Sequence, residues 1–231
     1  MEINTDEFRE PGLYLLLPEG RRIALTQDRI GAFAHTFEAN LGEIPLEIRS
    51  AVQFEACPVC PERAAAKFCH ALPATLAFSD ELRDFRSYDR VSAVYRDQER
   101  ALVCVPETTM QEALQFVAIL SLIHYCEVGR KYARFLHGVH PLMAPAELMA
   151  RVHLNIYWDC KGDRDRIAST LKSFSDEITC TCRCQVSRLQ LICKRDALVN
   201  AFVNTQAQIE CLALTESGLL DELLEESLAG A

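Results

Sequence analysis

The fold class is decided within one stretch of the sequence, Ala101-Leu102-Val103-Cys104-Val105-Pro106-Glu107-Thr108-Thr109-Met110-Gln111-Glu112. Apolar residues recur at every second position from Ala101 to Val105, which predicts a strand. Thr109 and Glu112 then have the Thr-x-x-Glu spacing of a capping box, in which each side chain accepts a hydrogen bond from an unpaired backbone N–H at a helix start. We therefore predict an α+β fold, with a β-rich part over residues 1–106 and a helical part over 107–231. Nothing in the pattern requires the two parts to have separate cores.

Two hairpins are predicted before this stretch. Their arms are residues 13–17 with 22–26, and residues 91–95 with 101–105. Pro18-Glu19-Gly20 supplies the first turn and the charged run 96–100 supplies the second.

Three other segments of the first part have weaker patterns. Residues 51–56 alternate, which predicts a strand leading into Cys57, whereas residues 33–39 fit a strand or a helix equally well. Residues 69–85 are expected to be mostly helical.

The second part has helical patterns throughout. A central buried helix is predicted over residues 110–128, with a break at Gly129, and Pro145 is expected to open another helix. Apolar residues at helical spacing then predict one or two long helices that reach about Leu214. In the segment 219–228, leucines lie on one face of a predicted helix and acids on the other, which makes it a candidate docking element for a protein partner.

Composition excludes several classes of function. Hydrophobic residues make up 49% and charged residues 25% of 231, which is typical of a globular core. A net charge of −9 disfavours nucleic acid as the main partner. The longest apolar run, 116–123, is far shorter than the roughly 20 residues that span a membrane, so no membrane partner is expected. The acidic start of the chain does not resemble a signal peptide, and we expect a cytoplasmic protein.

The count of 11 cysteines is unusually high. Cytoplasmic thiols stay reduced, so clustered cysteines more often bind metal or do redox work than form disulfides. The strongest motif is Cys57-Pro58-Val59-Cys60-Pro61, because two thiolates separated by two residues can turn toward one ion. Cys69, expected at a helix start, and Cys126 or His124, at the end of the buried helix, are candidates to complete the site. The predicted metal ligands are Cys57, Cys60, Cys69 and Cys126.

The identity of the metal is left open by the spacing. A structural zinc ion is favoured, because a single short knuckle completed by distant ligands is common for zinc. The alternatives are a [4Fe–4S] cluster, since prolines often flank cluster-binding cysteines, a redox dithiol, and inert buried thiols. The favoured function is a structural-zinc protein that acts as a binding or regulatory module, and the alternative is an iron–sulfur or dithiol redox protein. No motif assigns a catalysed reaction.

A second cysteine cluster lies at Cys180, Cys182 and Cys184. On a helix, Cys180 and Cys184 share one face while Cys182 points elsewhere, so the three cannot converge on one ion. We expect packed helix thiols there.

The segment 52–61, followed by Cys69 and by Ser87-Tyr88-Asp89-Arg90-Val91, resembles an uncharacterised bacterial domain family over about residues 10–158. Members of that family have a Cys-Pro-x-Cys-Pro knuckle, a further cysteine that opens a helix, and the Ser-Tyr-Asp-Arg-Val segment before a strand. The resemblance implies that Cys57, Cys60 and Cys69 act as a unit, and it implies no activity. His70 stands where the family has proline.

Overall fold

The α+β prediction is confirmed by a computed structural model of the chain. The structure describes residues 8–17, 20–40, 42–53, 57–63, 68–82, 84–97, 101–140 and 142–214. An antiparallel sheet lies in the N-terminal half, and the C-terminal half is mostly helical. Within these ranges no helix is both long enough and apolar enough to cross a membrane. The predicted docking segment 219–228 lies outside the described residues.

The sheet contains both predicted hairpins. Its strands are β1 (Gly12–Leu16), β2 (Arg22–Thr26), β3 (Arg90–Arg96) and β4 (Leu102–Thr109), in the order β2-β1-β3-β4. All neighbouring strands are antiparallel, and Leu15 of β1 stands opposite Ile23 on one side and Ala93 on the other. Because side chains alternate along a strand, Leu13 and Leu15 face the core cluster beneath the sheet, whereas Tyr14 faces a small cluster with Phe8.

The described part of the N-terminal half also contains four helices, and one prediction is corrected there. They are α1 (Gln27–Ala39), α2 (Leu46–Val52), α3 (Ala71–Leu76) and α4 (Ser79–Leu82). The strand predicted over residues 51–56 is wrong for its described part, because Ala51 and Val52 end α2. Both residues are fully buried in the hydrophobic cluster shared with the C-terminal helices, which we call the main core. Two adjacent buried positions suit a helix end better than a strand with one exposed face.

The C-terminal half is built around α5. Its helices are α5 (Met110–Tyr125), α6 (Glu127–Tyr132), α7 (Pro145–Asp159), α8 (Arg164–Gln190) and α9 (Ala197–Leu214). The predicted capping box is present, with Thr109 and Glu112 bonding each other's backbone N–H. Met110, Leu114 and Val117 are fully buried against the sheet and α9, so residues of both halves belong to one core cluster.

The helix break lies at Cys126 and not at the predicted Gly129. Cys126 has an extended backbone (φ −98°, ψ 127°), ending α5 and preceding α6. Gly129 is inside α6, where it packs against the carbonyl of Leu122 so closely that a Cβ atom would overlap it. The glycine therefore permits the close approach of α6 to the last turn of α5.

We expect Gly129→Ala to destabilise the protein, because the added methyl group forces the two helix backbones apart. The expected loss is about 1–3 kcal/mol in the free energy of unfolding, the usual cost of overpacking. Urea denaturation measures it. The matched control is Gly31→Ala in α1, where the new Cβ meets only the Tyr125 hydroxyl at 3.4 Å. That variant should gain about 0.5–1 kcal/mol from helix propensity, and equal effects in the two variants would contradict the packing argument.

Candidate metal centre

The Cys57–Cys60 motif forms two consecutive tight turns. The Cys60 N–H donates to the Cys57 carbonyl at 3.0 Å, and the Arg63 N–H donates to the Cys60 carbonyl at 3.2 Å. Each sulfur also accepts a backbone N–H from two residues further on, Cys57 from Val59 and Cys60 from Glu62. Such N–H groups stabilise thiolates, the form in which cysteine binds a metal.

Helix α8 faces this loop, which we call the knuckle loop (residues 57–63), with two more thiols. Cys180 and Cys184 are one helical turn apart, and Cys180 Sγ lies 4.0 Å from Cys57 Sγ. The sulfurs of Cys57, Cys180 and Cys184 all lie within 4.8 Å of one another. Two thiolates on one tetrahedral zinc ion are about 3.8 Å apart, given Zn–S bonds of about 2.3 Å. This trio, which we call the thiol triad, is therefore close enough to hold a metal ion.

The four cysteines predicted as ligands line one cavity. The cavity has a volume of about 270 Å³, and Cys57, Cys60, Cys69 and Cys126 all contribute to its wall. Among the described residues, however, the sulfurs that lie within 4.8 Å of one another are those of Cys57, Cys180 and Cys184. Of the four predicted ligands, this group includes Cys57 alone. The four as a joint ligand set remain a prediction.

Cys69 is held by side-chain and backbone hydrogen bonds. It lies two residues before α3, its N–H donates to the Val52 carbonyl at 2.9 Å, and its sulfur accepts from Gln185 Nε2 at 3.0 Å. Gln185 follows Cys184 on α8, so one helix contacts both the thiol triad and the more distant cysteines of the cavity.

Cys126 lies between two helices, after the end of α5 and before the start of α6, and not inside a helix. The N–H groups of Val128 and Gly129, in the first turn of α6, donate to its sulfur. Burial dominates these bonds and raises the pKa of the thiol to about 11. His124, the alternative ligand, lines a separate cavity with His140 and makes a 3.5 Å contact with Gln27, so it does not join the cysteines.

The three thiols of the triad differ in acidity, with the pKa of Cys57 lowered and those of Cys180 and Cys184 raised. A hydrogen bond from the Cys184 thiol, with a further bond from the Val59 N–H, outweighs burial and lowers the pKa of Cys57 to about 5. Burial raises the pKa of Cys180, and the bond donated to Cys57 raises the pKa of Cys184. The buried guanidinium of Arg188 lines the same cavity and favours negative charge at Cys184.

The cysteine spacing does not predict that Cys180 and Cys184 lie beside Cys57. Their four-residue spacing places them on one helix face, and Cys182 is turned away and fully buried in the core, as expected. The spacing does not reveal that this face meets Cys57, which is 123 residues earlier in the chain.

We expect the metal-free protein to contain a thiolate that ionises in the acid range. Ultraviolet absorbance of thiolate should fall as the pH is lowered through about 5, and Cys57→Ser should remove this step. Since the folded pKa is below the ordinary value, the contribution of Cys57 to stability is complete above roughly pH 8.5 and is lost as the pH falls through about 5. Cys104→Ser, at an exposed site, is the control. An unchanged step in Cys57→Ser would refute the assignment.

Comparison with known proteins does not add to this description. The chain matches no protein-family model, no curated protein and no solved structure. A function for the chain therefore has to come from the geometry of its cysteines.

Proposed function

We propose that this chain is a metal-binding protein whose ion joins the knuckle loop to α8. The observation that carries the proposal is the thiol triad, three sulfurs within 4.8 Å of one another that come from two distant parts of the chain. Zinc is the favoured ion, because it accepts thiolate ligands, and structural zinc sites are tetrahedral.

The thiol triad leaves one tetrahedral position for a fourth donor. Cys60 is the nearest cysteine along the chain, and its sulfur already accepts the Glu62 N–H. Arg188 supplies positive charge beside the sulfurs, which partly offsets the negative charge of a zinc ion with three or four thiolates. The donor set, its charge and its spacing thus all suit zinc.

The role proposed for the ion is structural. Helix α8 contributes Leu171, Phe174 and Ile178 to the main core, whereas the knuckle loop contributes mostly half-buried and exposed residues. The core is large enough to form without the ion, so the metal would fix the loop against α8 and not drive folding. The resulting function is that of a cytoplasmic binding or regulatory module.

A second candidate is a [4Fe–4S] cluster bound by Cys57, Cys60, Cys69 and Cys126. The cavity favours it, because four cysteines surround about 270 Å³ of space without three of them being within single-ion reach of one another, within the described chain. A cluster can reach separated thiolates through different iron atoms. In that case the protein would carry electrons.

The zinc proposal predicts one zinc ion per chain. Elemental analysis should find it in the wild type and find less than a tenth of it in Cys57→Ser and in the double variant Cys180→Ser/Cys184→Ser. Cys211→Ser, at an exposed site on α9, should keep the full content. Circular dichroism of each variant shows whether the fold is retained. Equal zinc content in all four proteins would end the proposal.

Two further variants, Cys69→Ser and Cys126→Ser, separate the two candidates. A cluster would appear as iron and a visible absorption band in anaerobically purified protein, and Cys69→Ser and Cys126→Ser would remove both. Under the zinc proposal, these two variants keep most of the zinc bound by the thiol triad, whereas Cys180→Ser/Cys184→Ser loses it.

Zinc binding should release at least two protons at pH 7. Cys57 is already ionised, but Cys180 and Cys184 remain protonated and must lose their protons to coordinate. The affinity should therefore rise about 100-fold per pH unit between roughly pH 6 and 8. Calorimetry in buffers with different ionisation enthalpies counts the protons, and a third proton would indicate a fourth ligand that is deprotonated on binding, such as a cysteine or a water. Release of fewer than two would contradict coordination by the thiol triad.

A further inference from the structure

The thiol triad brings Cys57 close to two other reduced thiols. Its sulfur lies 4.0 Å from that of Cys180, and the sulfur of Cys184 is within 4.8 Å of both. A disulfide requires an S–S distance of about 2.05 Å, so a Cys57–Cys180 bond needs the sulfurs to approach by about 2 Å. Rotation about two Cα–Cβ bonds moves sulfurs over that range.

The surroundings of Cys57 leave room for this movement. Cys57 lines the 270 Å³ cavity, and Cys180 lies half-buried on α8. Cys60 is outside the triad, and Cys182 is fully buried on the opposite side of α8. The thiols best placed to react with Cys57 are therefore the two on α8.

We propose that Cys57 is an oxidation site that forms a disulfide with α8, through Cys180 first and through Cys184 by exchange, and that this disulfide and the metal ion exclude each other. The exclusion rests on the proposed function, since it assigns the same three sulfurs to the metal. The disulfide itself does not depend on metal binding.

The oxidant in the proposed reaction is hydrogen peroxide. The Cys57 thiolate attacks one peroxide oxygen, the O–O bond breaks, and Cys57 becomes a sulfenic acid while the expelled hydroxide takes a proton from solvent and leaves as water. The Cys180 sulfur then attacks the Cys57 sulfur, an S–S bond forms, and the hydroxyl group leaves as a second water with the Cys180 proton. Two thiols are thereby oxidised by two electrons and one peroxide is reduced to two waters. Cys184 can attack the new bond and exchange with Cys180, because a third thiol lies within reach.

Oxidation would replace one connection between the knuckle loop and α8 by another. A sulfur that is part of a disulfide no longer provides a thiolate for zinc, so the ion leaves when the bond forms. The junction stays closed in both states, held by the ion under reducing conditions and by a covalent bond under oxidising conditions.

The first test uses the metal-free full-length protein with excess chelator. After treatment with hydrogen peroxide, remaining thiols are alkylated and the peptides are mapped by mass spectrometry without reduction. The expected result is a linkage from Cys57 to Cys180 or Cys184, and two fewer alkylated thiols than the 11 of the reduced chain. Cys57→Ser and Cys180→Ser/Cys184→Ser should lack this linkage, and Cys211→Ser should retain it. A Cys57–Cys60 or Cys180–Cys184 bond in its place, or no disulfide, would overturn the proposal.

The second test uses the zinc-loaded protein and a chromogenic chelator that reports released zinc. Peroxide should release one ion per chain in step with the mapped linkage, and dithiothreitol followed by zinc should restore binding. Release without the Cys57–α8 linkage, or formation of the linkage with zinc retained, would refute the exclusion. If the chain binds no zinc, the proposed function fails, and the mapping experiment on metal-free protein still decides the disulfide.

Discussion

The contact between the sulfur of Cys57 and the face of α8 is the constraint on which the candidate site depends. α8 is long and its apolar face is buried in the main core, so the positions of Cys180 and Cys184 are fixed by packing far from the cavity. The knuckle loop positions Cys57 by its own backbone hydrogen bonds. Two independently ordered elements therefore place three sulfurs together, and the site is preorganised before any ion binds.

The short distances between the three sulfurs also mean that three thiolates would repel one another, and either a bound cation or a disulfide relieves this repulsion. The sulfurs lie within 4.8 Å of one another, and in the reduced metal-free protein the pKa values of Cys180 and Cys184 are raised beside Cys57. A bound cation removes the repulsion by neutralising the charge, and a disulfide removes it by eliminating two thiols. The positive charge of Arg188 stabilises each state in which these sulfurs are negatively charged.

The features that could be predicted from the sequence are local ones. The hairpins, the capping box at Thr109 and the helix opened by Pro145 depend on neighbours within a few residues, and the structure contains them. The break at Cys126 and the helical state of Ala51 could not be predicted, because each depends on contacts between helices. Gly129 serves the approach of α6 to α5 and does not end a helix there, and Ala51 is buried by elements distant in sequence.

The candidate site likewise has some features that are local in the sequence and others that depend on tertiary packing. The tight motif of Cys57 and Cys60, and the shared helix face of Cys180 and Cys184, can be predicted from the sequence because turn chemistry and the helical repeat are local properties. Three features depend on how the helices pack: this face meets Cys57, Cys69 and Cys126 line the same cavity as Cys57, and His124 lines a different one. The physical reason is that the packing of α8 against the core, and not the spacing of the cysteines, sets which sulfurs become neighbours.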